Sequence, residues 1–275
     1  MKESLSLRFL YGTTPGRVVL KGLIHPWISK VAGCYLSSRF SKWLIPGFKK
    51  KNQIDMAGVI VPEGGFSCFN DFFARRREAE SLSVKKGQFI SPCDGFLRAV
   101  KIEDKTALDV KHSVYSTEDL LVDAELARRF KDGMALVFRL TPANYHRYCY
   151  PVTGKVTAMR QVEGKLHCVR PIALRTYPVF VQNSREYQVI ETKEFGSVVQ
   201  MEVGALLVGK IKNHPVLAGE SVVQMGREKG YFEFGGSTII LLFEKDKIVL
   251  DEKWCGEEEI PIRLGDVVGM KKVEC

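Results

Sequence analysis

Two textures of hydrophobic patterning divide the chain near residue 65. Between Pro15 and about Phe48, apolar residues recur at mixed spacings of three and four with Lys and Arg between them, as in Gly16-Arg-Val-Val-Leu-Lys-Gly-Leu-Ile-His25 and Cys34-Tyr-Leu-Ser-Ser-Arg-Phe-Ser-Lys-Trp43. On a helix of 3.6 residues per turn this spacing gathers the apolar side chains on one stripe, which predicts amphipathic helices. Residues 68–77 predict a further short helix, because their aromatic side chains return at helical spacing, with Asn70 or Asp71 as the cap. The Arg75-Arg76-Arg77 run at its end reads as a solvated face or as a contact for lipid headgroups.

From about residue 88 the pattern changes to short apolar runs punctuated by Gly and Pro, which predicts strands. Such runs cover 89–100, 135–140, 154–159, 197–203, 205–211 and 220–225. One helix is predicted over 116–130, where Ser116, Thr117 and acidic residues open the segment and Arg128 and Arg129 close it, as the helix dipole favours. Near the C-terminus, runs at 231–234 and 238–243 meet at Gly235-Gly236-Ser237. Gly-Gly between strands suits a two-residue hairpin turn. Against that, the run after it is apolar enough to be a buried strand, which sets Ser237 at the mouth of a core. Repeated Pro-x-x-Gly-x-Val/Leu phrases suggest a barrel-like sandwich whose topology resembles biotinyl or lipoyl carriers, although no lysine stands on a tight hairpin as a carrier requires. The expected fold class is α+β, a mainly β barrel-sandwich-like core with an N-terminal helical membrane-associating layer. Residues 1–65 are expected to form that layer and 66–275 the β-rich domain.

Charge and composition narrow the partners. The formal net charge of +9 over 275 residues favours an anionic partner, nucleic acid or an anionic membrane. Aromatic residues on basic amphipathic helices, followed by Lys49-Lys50-Lys51, suit a lipid surface; helices packed on the protein's own core with a solvated basic face are the alternative. No apolar window is long enough to span a bilayer, and residues 1–12 lack the apolar run of a signal peptide, so a soluble or peripheral protein is expected. The seven cysteines are scattered without any Cys-x-x-Cys pair, which argues against a disulfide framework and a zinc site and for a reducing compartment. No phosphate-binding or dinucleotide glycine motif occurs.

Of the five histidines, His146 stands in Tyr145-His-Arg147-Tyr-Cys149, on a loop leaving a buried strand. Asp94, in Ser91-Pro-Cys-Asp-Gly95, reads equally as a turn aspartate. With Ser237 these supply an acid, a base and a hydroxyl, the set that activates a serine.

The motifs Asn70-Asp-Phe-Phe73, Ser91-Pro-x-Asp94-Gly95, Tyr145-His-Arg147, Glu202-Val-Gly-Ala205 and Gly230-Tyr-Phe-x-Phe-Gly-Gly-Ser-Thr238 occur in the order found in phosphatidylserine decarboxylases. The chain resembles that family from about residue 65 to 270. The resemblance implies a proenzyme that cuts itself between Gly236 and Ser237, leaving a β chain ending at 236 and an α chain of 39 residues, 237–275. Ser237 would become a pyruvoyl group, the cofactor, which forms a Schiff base with the amine of phosphatidylserine; no metal is needed. The implied partners are phosphatidylserine, an anionic membrane surface at the cytoplasmic face of the cell membrane and the protein's own two chains, not nucleic acid, and a homodimer stays open. One departure is Cys149, which stands where the family carries a second histidine, commonly the partner in self-cleavage. His167, in Gly164-Lys-Leu-His167, lies where members with that second histidine often carry an aromatic residue, which makes it a candidate compensating base for Ser237, with His146 itself the alternative; His146 otherwise serves substrate binding or decarboxylation. Two other readings stay open, a non-catalytic carrier-like or membrane-binding barrel module and an ordinary serine hydrolase.

Overall fold

The computed structural model describes residues 5–78, 82–103, 108–110, 113–169, 171–174, 176–205, 211–219, 221–234, 237–256 and 258–273. Gly235, Gly236, His112 and most of the run at 205–211 lie outside the described residues. The helical first third is as the pattern predicts: α1 (Leu5–Gly12), α2 (Thr14–Leu23), α3 (Pro26–Leu36) and α4 (Leu44–Asn52). Thr13 and His25 cap α2 and α3, each followed by a proline in the first turn, where a missing N–H costs nothing. Their inner stripe, Tyr11, Leu20 and Ile24, joins the main core, whereas Leu5, Val18, Trp27, Phe40 and Trp43 stay exposed. None of the described helices is long and apolar enough to cross a membrane.

A short helix α5 (Phe69–Phe73) follows β1 (Val59–Ile60) and precedes β2 (Arg76–Arg77). Its cap is Cys68, whose Sγ accepts from Asp71 N, and neither Asn70 nor Asp71. Asp71 instead accepts from Ser67, and Asn70 reaches across to Ser37 and Phe234.

The remaining elements are β3 (Gln88–Ile90), β4 (Gly95–Lys101), β5 (Leu108–Val110), β6 (Ser113–Tyr115), α6 (Thr117–Leu121), α7 (Ala124–Arg129), β7 (Met134–Leu140), β8 (Arg147–Cys149) and β9 (Gly154–Val162). After these come α8 (Pro171–Leu174), α9 (Val179–Gln182), β10 (Arg185–Thr192), β11 (Gly196–Val203), β12 (Ile211–Asn213) and β13 (Val222–Val223). The chain closes with β14 (Glu228–Phe232), β15 (Ser237–Phe243), β16 (Ile248–Leu250), β17 (Ile260–Ile262) and β18 (Val267–Lys271). The single helix expected over 116–130 is two: Val122 turns left-handed at φ 51° and Asp123 caps a new helix through Leu126 N.

An eight-stranded antiparallel sheet in the order β13-β9-β10-β11-β15-β7-β4-β17 forms the centre, flanked by the three-stranded sheets β12-β14-β8 and β16-β18-β3. Among the described residues no sheet closes into a barrel, so the architecture is sandwich-like within an α+β fold. Every residue of β15 is buried, as its apolar run requires. The hairpin alternative for Gly235-Gly236 is overturned: β14 pairs with β12 and β8, and β15 with β11 and β7, so the strands on either side belong to different sheets.

Candidate active site

The antiparallel register collects the candidate residues at one end of the central sheet. Ser237 opens β15 opposite Leu140, the last residue of β7, and Thr238 stands opposite Val203, the last residue of β11. The loop leaving β7 leads to His146, and Asp94 immediately precedes β4, whose Phe96 pairs with Arg139. Four segments distant in sequence thus end side by side.

Ser237 is fully enclosed, and its Oγ has no hydrogen-bond partner among the described residues. A buried unsatisfied hydroxyl costs about 1–3 kcal/mol and calls for an explanation in a native fold. Opposite residues of an antiparallel pair share a face, so Ser237 and Ile239 lie on the face that carries Glu202, and Thr238 lies on the other.

His146 is positioned from two sides. Asn144 Oδ1 accepts from Thr141 N and Oγ1, both at 2.7 Å, which bends the loop after β7, and the His146 carbonyl accepts from Phe232 N at 2.9 Å. The imidazole lies on Phe73, with centroids 4.0 Å apart, and Phe73 meets Phe234 edge-on at 5.2 Å. One helical turn before Phe73, Asn70 Oδ1 accepts from Phe234 N at 3.2 Å while its Nδ2 reaches Ser37 on the N-terminal helices. Helix α5 therefore holds both the histidine and the segment entering Ser237.

Asp94 is an ion-pair anchor. One carboxylate oxygen accepts from Arg77 Nη1 at 3.0 Å and the other from Leu264 N at 2.9 Å. Arg77 lies 4.5 Å over the Tyr145 ring, so Asp94 is linked to the residue beside His146 through one guanidinium. Cys149 is enclosed, and burial pushes its thiol up to about 12, which removes it as a base at neutral pH.

His167 reaches this end of the sheet through Asn183. The Asn183 side chain accepts from His167 N at 2.8 Å and donates to the carbonyls of His167 at 2.8 Å and Gly204 at 2.7 Å, the latter just beyond the end of β11. The ring stacks on Tyr177 with centroids 4.7 Å apart and is 2 % exposed. Burial first, and the charge of Lys165 second, hold it down at about 4 against the opposing influence of Gln182. The unfolded chain takes up this proton near the ordinary histidine value, so the folded state has the full contribution above about pH 6.5 and loses it as pH falls toward 4. His167→Phe should therefore narrow the gap between urea midpoints measured at pH 7 and pH 5; an unchanged gap would contradict the shift.

Sequence reasoning assigned no role to Asn183, Phe73 or the pair Glu202–Lys229, although Phe73 and Glu202 stand within the quoted motifs. That pair is wholly enclosed, with Lys229 Nζ 2.5 Å from Glu202 Oε2 and Asn213 Nδ2 3.3 Å from the same oxygen. Burial pulls Glu202 up and Lys229 down, each toward its neutral form. Arg147 donates to Glu228 at 2.7 Å and to the Ala74 carbonyl at 2.8 Å, and His214 Nε2 approaches the same Glu228 oxygen at 2.7 Å. Among the described residues no three His, Cys, Asp or Glu side chains are grouped as metal ligands.

Residues 69–270 match the family model described as phosphatidylserine decarboxylase, and the chain belongs to that family of carboxy-lyases. Its relatives include phosphatidylserine decarboxylase proenzyme 2 of Clostridium acetobutylicum, 40 % identical over 96 % of this chain and 91 % of its own. The phosphatidylserine decarboxylase proenzyme of Fusobacterium nucleatum is 34 % identical over 97 % of this chain and 91 % of its own. That of Chlamydia muridarum is 38 % identical over 90 % and 83 %.

Proposed function

We propose that the protein decarboxylates phosphatidylserine to phosphatidylethanolamine with a pyruvoyl group made from its own Ser237, after self-cleavage between Gly236 and Ser237. The observation that carries this reading is the enclosed, unpartnered Ser237 hydroxyl at the start of a central strand, in a chain whose relatives are named proenzymes. A hydroxyl stored without a partner fits a group that is consumed in making the cofactor.

In maturation Ser237 Oγ gives its proton to a base and bonds to the Gly236 carbonyl carbon. The peptide C–N bond breaks as the nitrogen takes up a proton, and an ester results. Loss of the Cα proton and of the ester oxygen from Cβ frees the Gly236 carboxylate and leaves dehydroalanine. Water then converts it to the pyruvoyl group with release of ammonia. That group supplies the electron sink that decarboxylation needs.

His167 acts as the maturation base: it is uncharged at neutral pH and linked through Asn183 to the strand end beside Ser237. His146 serves substrate binding or the proton delivered to carbon after carbon dioxide leaves, and Asp94 steadies its loop through Arg77 and Tyr145. His167→Ala should slow cleavage while His146→Ala matures and fails in turnover; normal maturation of the first with an uncleaved second would reverse the assignment.

Residues 1–65 form the membrane-associating layer and 66–275 the catalytic domain. Trp43 at 72 %, Phe40 at 71 % and Trp27 at 57 % exposure, with Lys49, Lys50 and Lys51 closing α4, suit a peripheral enzyme on anionic lipid at the cytoplasmic face. Trp27→Ser with Trp43→Ser should abolish flotation with phosphatidylglycerol vesicles while leaving the melting temperature unchanged; undiminished flotation would remove these helices from the membrane contact.

A further inference from the structure

Among the described residues four Lys and Arg side chains are enclosed, Arg75, Arg147, Arg185 and Lys229, and three of them are fully answered. Arg185 donates to the carbonyls of Leu120, Val181, Asn183 and Asp119 at 2.6–3.1 Å. Lys229 has Glu202, and Arg147 has Glu228 with the Ala74 carbonyl. Arg75 is the exception.

Arg75 is 2 % exposed, yet its hydrogen bonds are long: Nη1 to the Phe73 carbonyl at 3.4 Å and Nη2 to the Asn144 carbonyl at 3.5 Å. Both sit at the outer limit for such a bond, and Nε has no partner. No carboxylate among the described residues pairs with it. Asp94, whose charge favours it, is spent on Arg77 and Leu264 N, and Arg77 itself repels it. The face of Phe72, 5.5 Å away, offers only weak compensation. Burial first and Arg77 second lower its pKa to about 10, which still leaves it cationic at neutral pH. A buried cation without a counter-charge is expensive, and a guanidinium cannot escape the cost by losing its proton at neutral pH.

The contacts of Arg75 set it beside His146. Phe73 lies under the His146 ring and Asn144 is two residues before it, so the Arg75 fork is built into the frame that holds His146. We propose that Arg75 binds the phosphodiester of the lipid headgroup, its planar fork taking the two non-bridging oxygens beside His146. The proposal rests on the decarboxylase reading. Of the two anions of phosphatidylserine, the carboxylate loses its charge as carbon dioxide forms, so a guanidinium clamped on it would stabilise the ground state more than the transition state. The phosphodiester keeps its charge throughout, and it matches the fork.

The test titrates the full-length protein with sn-glycero-3-phosphoethanolamine, which has the diester and lacks the carboxylate, and separately with inorganic phosphate, following thermal unfolding. The diester should raise the melting temperature of the wild type. Arg75→Gln should need about tenfold to a hundredfold more diester for the same shift, with Arg75→Lys between them, and KM for phosphatidylserine in mixed micelles should rise by a similar factor. Should Arg75→Gln not fold, Arg75→Lys, which keeps the charge and loses the fork, carries the comparison. Equal shifts in wild type and variant, no shift with the diester, or a fall in kcat at constant KM would overturn the proposal. A response to inorganic phosphate alone would overturn it in favour of a free-phosphate site. The titration needs no turnover, so failure of the decarboxylase reading would show separately, as absent product.

Discussion

Ser237→Ala should give a single uncut chain of 31.0 kDa that makes no phosphatidylethanolamine, whereas the wild type should separate under denaturing conditions into pieces ending at Gly236 and beginning at position 237. Denaturing mass spectrometry reads both results, and the smaller wild-type piece should have a blocked terminus. The expected loss is complete, because no neighbouring hydroxyl can substitute. Thr238 is also enclosed and unpartnered, but strand alternation turns it to the opposite face of β15. The variant should also fold. Its missing Oγ had no hydrogen bond among the described residues, and removing an unsatisfied buried hydroxyl is close to neutral or stabilising. Lost activity would then reflect lost chemistry. A cut Ser237→Ala chain, or an intact wild type that still decarboxylates lipid, would end the pyruvoyl reading.

Lys229→Met, made in the uncleavable Ser237→Ala background so that one chain unfolds, should lower stability by about 3–5 kcal/mol in urea titrations at pH 7. The reason is the partner left behind. Glu202 is wholly enclosed, and without Lys229 only the longer contact from Asn213 remains on Oε2. Glu202 must then be buried as an anion or take a proton. Its pKa, already raised by burial, would rise further, so the penalty should shrink as pH falls and the protonated form takes over. The double variant Glu202→Leu with Lys229→Met should recover most of the loss, since two apolar groups of similar shape replace a costly pair. A loss well under 1 kcal/mol for the single variant would show that the pair is solvated in a way its full enclosure contradicts.

Pattern made much of this legible. The helical first third, the strand runs that fall on described residues and the buried β15 follow from periodicity, because each is a local property of spacing. The segments that carry Asp94 and Ser237, and the loop that leads to His146, meet because antiparallel strands bring distant chain segments to one end of one sheet. Other features are not local. Arg75 sits in a run of three arginines and Lys229 between Glu228 and Gly230, so both look like solvated charge; only tertiary packing buries them. The break at Val122 was hidden by an uninterrupted helical pattern, since a left-handed residue that is neither Gly nor Asn leaves no compositional mark. Gly235-Gly236 was ambiguous for a similar reason: a turn and a step between two sheets draw on the same residue.

The position of β15 has a consequence for the life of the molecule. It lies between β11 and β7, so the segment from 237 onward supplies an inner strand of the largest sheet, and β16, β17 and β18 besides. A cut before Ser237 would leave the piece laced in place by backbone hydrogen bonds on both sides, with no tendency to depart. Yet the longer piece alone could not rebuild that sheet, because its centre would be missing. Assembly as one chain is intramolecular; reassembly from two is a bimolecular search that weakens on dilution. The scission would thus act as a ratchet in the protein's history: the fold is reached readily once, before the chain is divided, and the two pieces afterwards keep an arrangement that neither could easily regain after separation.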